Sequence, residues 1–196
     1  MRAQVGVNNP NTFRHDECYC EAVDGVLRKY ESSLRALFAV LATKPRLKRE
    51  AAAMPPGAAK PEPLEPLIKF DSWRAFLRRL DLIGYDLAER NAALCFVWSR
   101  LCVPQPYTER GELRLVGLPF EGFLEALCRV AVLKALPTDE EITAGGYMHA
   151  GDMLVCLRDD DPPAYKALIR AHANPWGAWA VEGGCDSRRA GASSMC

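Results

Sequence analysis

A chain of 196 residues, 49% hydrophobic and 26% charged, is long enough to bury a core and has the make-up of one ordinary globular domain with room for an appended lobe. Twenty-five basic residues balance twenty-five acidic ones, which removes the global field that draws a protein to nucleic acid or to an anionic membrane. No apolar run reaches the roughly 18 residues of a membrane span, and MRAQVGVNNPNTF lacks the apolar stretch of a secretory signal, so the expectation is a soluble intracellular protein with reduced thiols.

Residues 1–15 carry no periodicity and include Asn-Asn-Pro-Asn, which is turn chemistry, so an irregular arm ordered only by a partner is expected there. From Asp16 the apolar positions Val23, Val26, Leu27, Tyr30, Leu34, Leu37, Phe38 and Leu41 predict one long amphipathic helix, ended by Thr43-Lys44-Pro45. The segment 44–66 holds six prolines and almost no large apolar residue, and reads as a linker that cannot build core.

A helix is predicted over Phe70–Ile83, with Asp71 as N-cap, Trp73, Phe76, Leu77 and Leu80 inward, and Gly84 as its stop. Asp86 with Glu89 three residues on reads as the cap of the next helix, whose inner positions are Leu87, Leu94, Trp98 and Leu101. ELRLV, Glu112–Val116, alternates and suggests a short extended piece able to pair with the Ile83–Tyr85 turn. In LPFEGFLEALCRVAVLKAL the residues Phe120, Phe123, Leu124, Leu127 and Ala131 form the apolar face, while Glu121, Glu125 and Arg129 form a polar stripe. On an exposed stripe the Glu125–Arg129 spacing is worth about 0.2–0.5 kcal/mol.

Thr138 and Glu141 make a capping box for a short helix that Gly145-Gly146 ends. Ala150, Met153, Leu154 and Leu157 make another, and Asp161-Pro162-Pro163 starts a last helix with Tyr165, Leu168 and Ile169 inward. From Asn174 the chain is Gly-, Ser- and Ala-rich, anchored by Trp176 and Trp179 alone.

A long aromatic leading helix (YESSLRALFAVLA, Tyr30–Ala42), the stretch Phe70–Leu101 and the helix FLEALCRVA together resemble the degenerate EF-hand-like helical module of flagella-associated, axonemal proteins of algae and ciliates. The resemblance spans Glu17 to Leu136. It implies an all-α fold of paired helix-loop-helix units without calcium loops, with the long leading helix before them and a C-terminal helical lobe after them. The division that follows is an arm at 1–15, the EF-hand-like domain at 16–136 with the linker 44–66 inside it, a lobe at 137–173 and a flexible tail at 174–196. Functionally it implies a structural, protein-binding component of the ciliary or flagellar axoneme, with tubulin or axonemal proteins as partners.

Chemistry is sparse. A calcium loop needs oxygen ligands at positions 1, 3, 5 and 12, yet a loop from Asp81 places Ile83, Tyr85 and Ala92 at the last three, and loops ending at Glu121 or Glu125 begin at Arg110 or Arg114. No calcium is expected. Asp159-Asp160-Asp161 reads as a helix start rather than a metal cluster, and His15-x-x-Cys18-x-Cys20 lacks the second ligand pair that zinc wants. Neither a cofactor motif nor a nucleophile motif accompanies His15, His149 or His172, so no catalysis is expected. A calcium-responsive regulatory subunit and a small cysteine-dependent enzyme are the alternatives. Partner binding is assigned to the basic run Lys44, Arg46, Lys48 and Arg49 and to Trp176 and Trp179, the latter because Trp is enriched among binding hot spots.

Overall fold

In a computed structural model the described residues are 10–53, 55, 63–101 and 103–173. They are mostly helical, with one two-stranded sheet, which makes the protein all-α. The helices are α1 (Pro10–Phe13), α2 (Glu21–Lys29), α3 (Glu31–Leu41), α4 (Lys48–Ala53), α5 (Phe70–Arg79), α6 (Glu89–Trp98), α7 (Glu109–Leu115), α8 (Phe120–Leu133), α9 (Asp139–Ala144), α10 (Ala150–Asp160) and α11 (Pro162–His172), and a π turn covers Arg14–Cys18. The strands are β1 (Ile68–Lys69) and β2 (Gly117–Leu118). The chain divides into two compact units, one of residues within 1–81 and 92–130, the other of residues within 82–91 and 131–196.

The core of the first unit is aromatic. Trp73 and Phe76 of α5 meet Phe123 of α8 with ring centroids 6.4 Å away in each case, and Phe38 of α3 lies 5.4 Å from Phe120 and 5.8 Å from Phe123. All but the Phe38–Phe123 pair, which is tilted at 45°, align edge with face, an arrangement that adds about 0.5–1.5 kcal/mol per pair to the burial itself. Trp73 is fully buried and its indole N–H donates to the Ala92 carbonyl at 2.9 Å, satisfying the one polar atom it takes inside. β1 and β2 run antiparallel with Ile68 opposite Leu118, both wholly buried. β1 runs straight into α5 and β2 stops one residue, Pro119, short of α8, so the ladder fixes the starting points of both helices together.

Several expectations change here. Residues 10–18 are helical rather than irregular, and the buried Phe13 is their anchor. The long leading helix is divided at Tyr30, whose ψ of 11° turns the chain, although Tyr30 still donates to Val26 and accepts from Leu34. Glu112–Leu115 is helical, and the strand that forms instead is Gly117–Leu118, paired with Ile68–Lys69 and not with Ile83–Tyr85. The Gly at 111 is what lets α7 pack there: a Cβ would run into the Gln105 carbonyl. Asp71 is not a cap; the N-cap of α5 is Lys69, and α5 ends at Arg79, leaving Leu80 exposed.

The segment 44–66 is an excursion whose ends meet. Thr43 and Leu67 exchange both backbone hydrogen bonds at 3.0 Å, closing it like a loop off the core rather than a tether between bodies. Leu64 within it is buried, contrary to the expectation that the segment adds nothing to the core.

In the second unit the local signals hold. Thr138 and Glu141 form the reciprocal capping box, and Gly146 takes the left-handed φ of 73° past the end of α9. Asp161 caps α11 by accepting from the Ala164 N–H at 3.1 Å. Asp86, read as a helix cap, is instead buried: its Oδ1 accepts from Lys134 Nζ at 2.9 Å and its Oδ2 from the Ala135 N–H at 2.9 Å.

Candidate functional site

The feature with most stored electrostatics is a buried ionic cluster on α8. Glu125 and Arg129 are 1% and 2% exposed, in place of the solvent-facing stripe that their spacing suggests. Glu125 Oε1 accepts from Arg129 Nη2 at 2.7 Å and from Nε at 3.1 Å, while Oε2 accepts from Arg14 Nε at 2.8 Å and from the Tyr19 hydroxyl at 3.2 Å. One carboxylate therefore serves four donors. Arg14 also donates to the Trp98 carbonyl at 2.9 Å, and the Arg129 guanidinium lies 4.1 Å over the Phe13 ring.

The π turn makes this possible. Its wide ring closes with the Tyr19 N–H on the Arg14 carbonyl at 2.8 Å, and Arg14 and Tyr19 both reach Glu125. Burial works to lower the Arg14 pKa, but hydrogen bonding to Glu125 and its charge outweigh that and raise it. Burial and then the Glu125 carboxylate push the Tyr19 phenol up. Beside the cluster, the influence of Cys128 and then burial raise the Cys18 pKa. Cys18, Tyr19, Leu27, Leu124 and Glu125 line an open groove of about 520 Å³, with Glu21 and Glu121 on its exposed rim.

A second groove, of about 420 Å³, lies between α3 and α5. Its walls are Leu37, Val40 and Leu41 on one side and Ala75, Phe76 and Leu80 on the other, with Ser72 and Arg79 at the margin. None of the residues of α2 or α3 is buried, although both helices are amphipathic; Val40 is 82% exposed and Val26 56%.

The four bases assigned to partner binding separate into two pairs. Lys44 and Arg46 are exposed. Lys48 and Arg49 belong to the start of α4, where the Lys48 N–H donates to Glu109 Oε1 at 2.7 Å and Arg49 forms an ion pair with Glu112. Those two hold the excursion against α7. Trp176 and Trp179 lie outside the described residues. Glu109 and Glu112, the acids of α7, are thus committed to protein partners, and among the described residues no three His, Cys, Asp or Glu side chains converge as metal ligands would. His15 pairs with Asp16 and His172 with Glu141.

Neither the Phe13–Arg14 anchor nor the buried state of Glu125 is read from the sequence. The available signals are a lone large aromatic in a polar arm and an acid–base pair inside FLEALCRVAVL, where almost every neighbour is apolar. No protein-family model, curated protein or solved structure matches the chain.

Proposed function

We propose that the chain is a non-catalytic, protein-binding structural component of paired helix-loop-helix units, EF-hand-like in form and without calcium loops, and that it works on the microtubule scaffold of a cilium or flagellum. The observation that carries the binding role is the groove between α3 and α5, where amphipathic helices leave Val40 and Leu80 in water rather than in the core. Such a groove takes the apolar ridge of a partner helix. Arg79 at its margin, and Lys44 and Arg46 beyond the end of α3, select a partner with acidic residues beside that ridge.

The paired reading draws on the β1–β2 ladder, which joins α3-loop-α5 to α7-loop-α8 just ahead of the second helix of each. The axonemal setting draws on the resemblance across Glu17–Leu136, and the acidic surface of a microtubule suits the exposed bases. Co-sedimentation with microtubules at low and raised salt tests both parts. The native chain is expected to pellet at low salt and to release as salt screens the attraction. Val40→Asp, and separately Lys44→Ser with Arg46→Ser and Arg79→Ser, are expected to reduce pelleting. A native chain that stays in solution at every salt removes the microtubule; variants that pellet like the native chain remove the groove and its bases.

A further inference from the structure

The groove of about 520 Å³ beside the ionic cluster has a chemistry opposite to that of the α3–α5 groove. Its apolar lining is Leu27 of α2 and Leu124 of α8, both half-buried, together with Cys18. None of the residues of α2 is buried, although the helix is amphipathic, so its apolar side stays partly in water.

Around that lining the charge is acidic. Glu21, Asp24 and Glu121 are exposed at the groove, and among the described residues no basic side chain lines it. Asp24 is shared with Arg28 at 2.6 Å, and Glu125 is committed to Arg14 and Arg129. The side chains of Glu21 and Glu121 make no hydrogen bond or ion pair among the described residues. Tyr19, 64% exposed, stands in the groove wall with its hydroxyl held on Glu125 at 3.2 Å. An aromatic ring held in this way attracts a cation to its face.

We infer that this groove is a second docking site, for an amphipathic helix of another protein whose apolar ridge is flanked by Lys or Arg. The ridge enters against Leu27 and Leu124, while the flanking cations face Glu21 and Glu121 and one meets the Tyr19 ring. An acidic helix sets its carboxylates against Glu21 and Glu121, with no base in the lining to offset them, and is rejected. A small cation leaves Leu27 and Leu124 in water, which is why the occupant carries a ridge. The site shares no residue with the α3–α5 groove, so it stands or falls separately from microtubule binding.

The test uses the full chain, reduced, and a fluorescein-labelled peptide of Leu and Lys, about 18 residues or five helical turns long, with the Leu on one face. Fluorescence anisotropy is expected to show saturable binding at low salt that weakens as salt is raised. Two control peptides of equal length, one with Glu for every Lys and one with Ser for every Leu, are expected not to bind. Glu21→Gln together with Glu121→Gln is expected to weaken binding about fivefold, the effect of two exposed charges, and Leu27→Ala by a similar factor. Neither change touches a fully buried side chain, so circular dichroism is expected to match the native chain. Val40→Asp, in the other groove, is expected to leave the affinity unchanged. Equal affinity for either control peptide overturns the inference, as does unchanged affinity in the Glu21 and Glu121 variant or in Leu27→Ala. A native chain that is dimeric until the peptide disperses it assigns the groove to a second copy, and that result also overturns the inference.

Discussion

Glu125→Gln measures what the buried cluster is worth. The substitution keeps the shape of the side chain and removes its charge, leaving the Arg129 guanidinium, 3% exposed, without its carboxylate and Arg14, 23% exposed, free to turn toward water. Removing one partner of a buried ion pair costs about 3–5 kcal/mol, because the stranded charge has lost both its counter-ion and its water. Arg14 adds little to that, since it is partly solvated already. The expected loss is thus about 3–5 kcal/mol, roughly ten times the value for the same Glu–Arg spacing on an exposed helix. Against a domain stability of about 5–15 kcal/mol this is a large fraction. Urea unfolding followed by circular dichroism reads it, with Glu121→Gln, one turn earlier and exposed, as the control expected to change stability by less than about 0.5 kcal/mol. Replacing the pair together, Glu125→Leu with Arg129→Met, is expected to recover most of the loss, since an apolar pair of similar volume leaves no charge buried. If Glu125→Gln and Glu121→Gln unfold at the same urea concentration, the cluster is solvated and the reasoning fails.

Phe123→Ala is expected to cost about 3–5 kcal/mol, because three aromatic rings pack on this fully buried side chain, while the half-buried Leu127→Ala costs less; chemical denaturation in the reverse order refutes the assigned face of α8. Cys95 is expected to resist iodoacetamide at pH 8 in the folded chain and to react on unfolding, because burial raises its pKa to about 12; modification at the rate of Cys20 contradicts this. Hydrogen bonding from the Thr138 N–H and then from His172 lowers the Glu141 pKa below its ordinary 4.5, so the box at the start of α9 contributes fully above that pH and loosens as pH falls through the lowered value. NMR titration of the Glu141 carboxyl checks it, and a midpoint above 4.5 refutes it.

What was legible in the sequence is what local chemistry decides. The Thr138–Glu141 box and the Asp161-Pro-Pro start need only residues within one turn of each other, and both formed as read. Trp73, Phe76 and Leu77 were legible because large apolar side chains at helical spacing have nowhere else to go. The inward face of α8 was rotated. Phe123 lies inside, but Ala126 and Val130 join it in place of Ala131, and Glu125 and Arg129 go in with them. Periodicity assigns a charge to water by default, and the residue that reverses this, Arg14, is 111 positions from Glu125. Pairing of β1 with β2 was hidden differently: two residues per strand carry too little alternation to be seen, and ELRLV carried enough to mislead.

The closure of Thr43 on Leu67 has a consequence for how this chain tolerates change. A loop with pinned ends alters the entropy of the unfolded chain only logarithmically, so doubling its length costs about 0.6 kcal/mol. Its fixed points are the α4 start on Glu109 and Glu112 and the buried Leu64, which leaves exposed Pro55 as the natural point of insertion. A peptide tag or a whole fluorescent domain spliced there, with both of its own termini close together, leaves the Thr43–Leu67 bridge intact. The protein can accordingly be labelled internally, between these two residues, without touching the helices on either side.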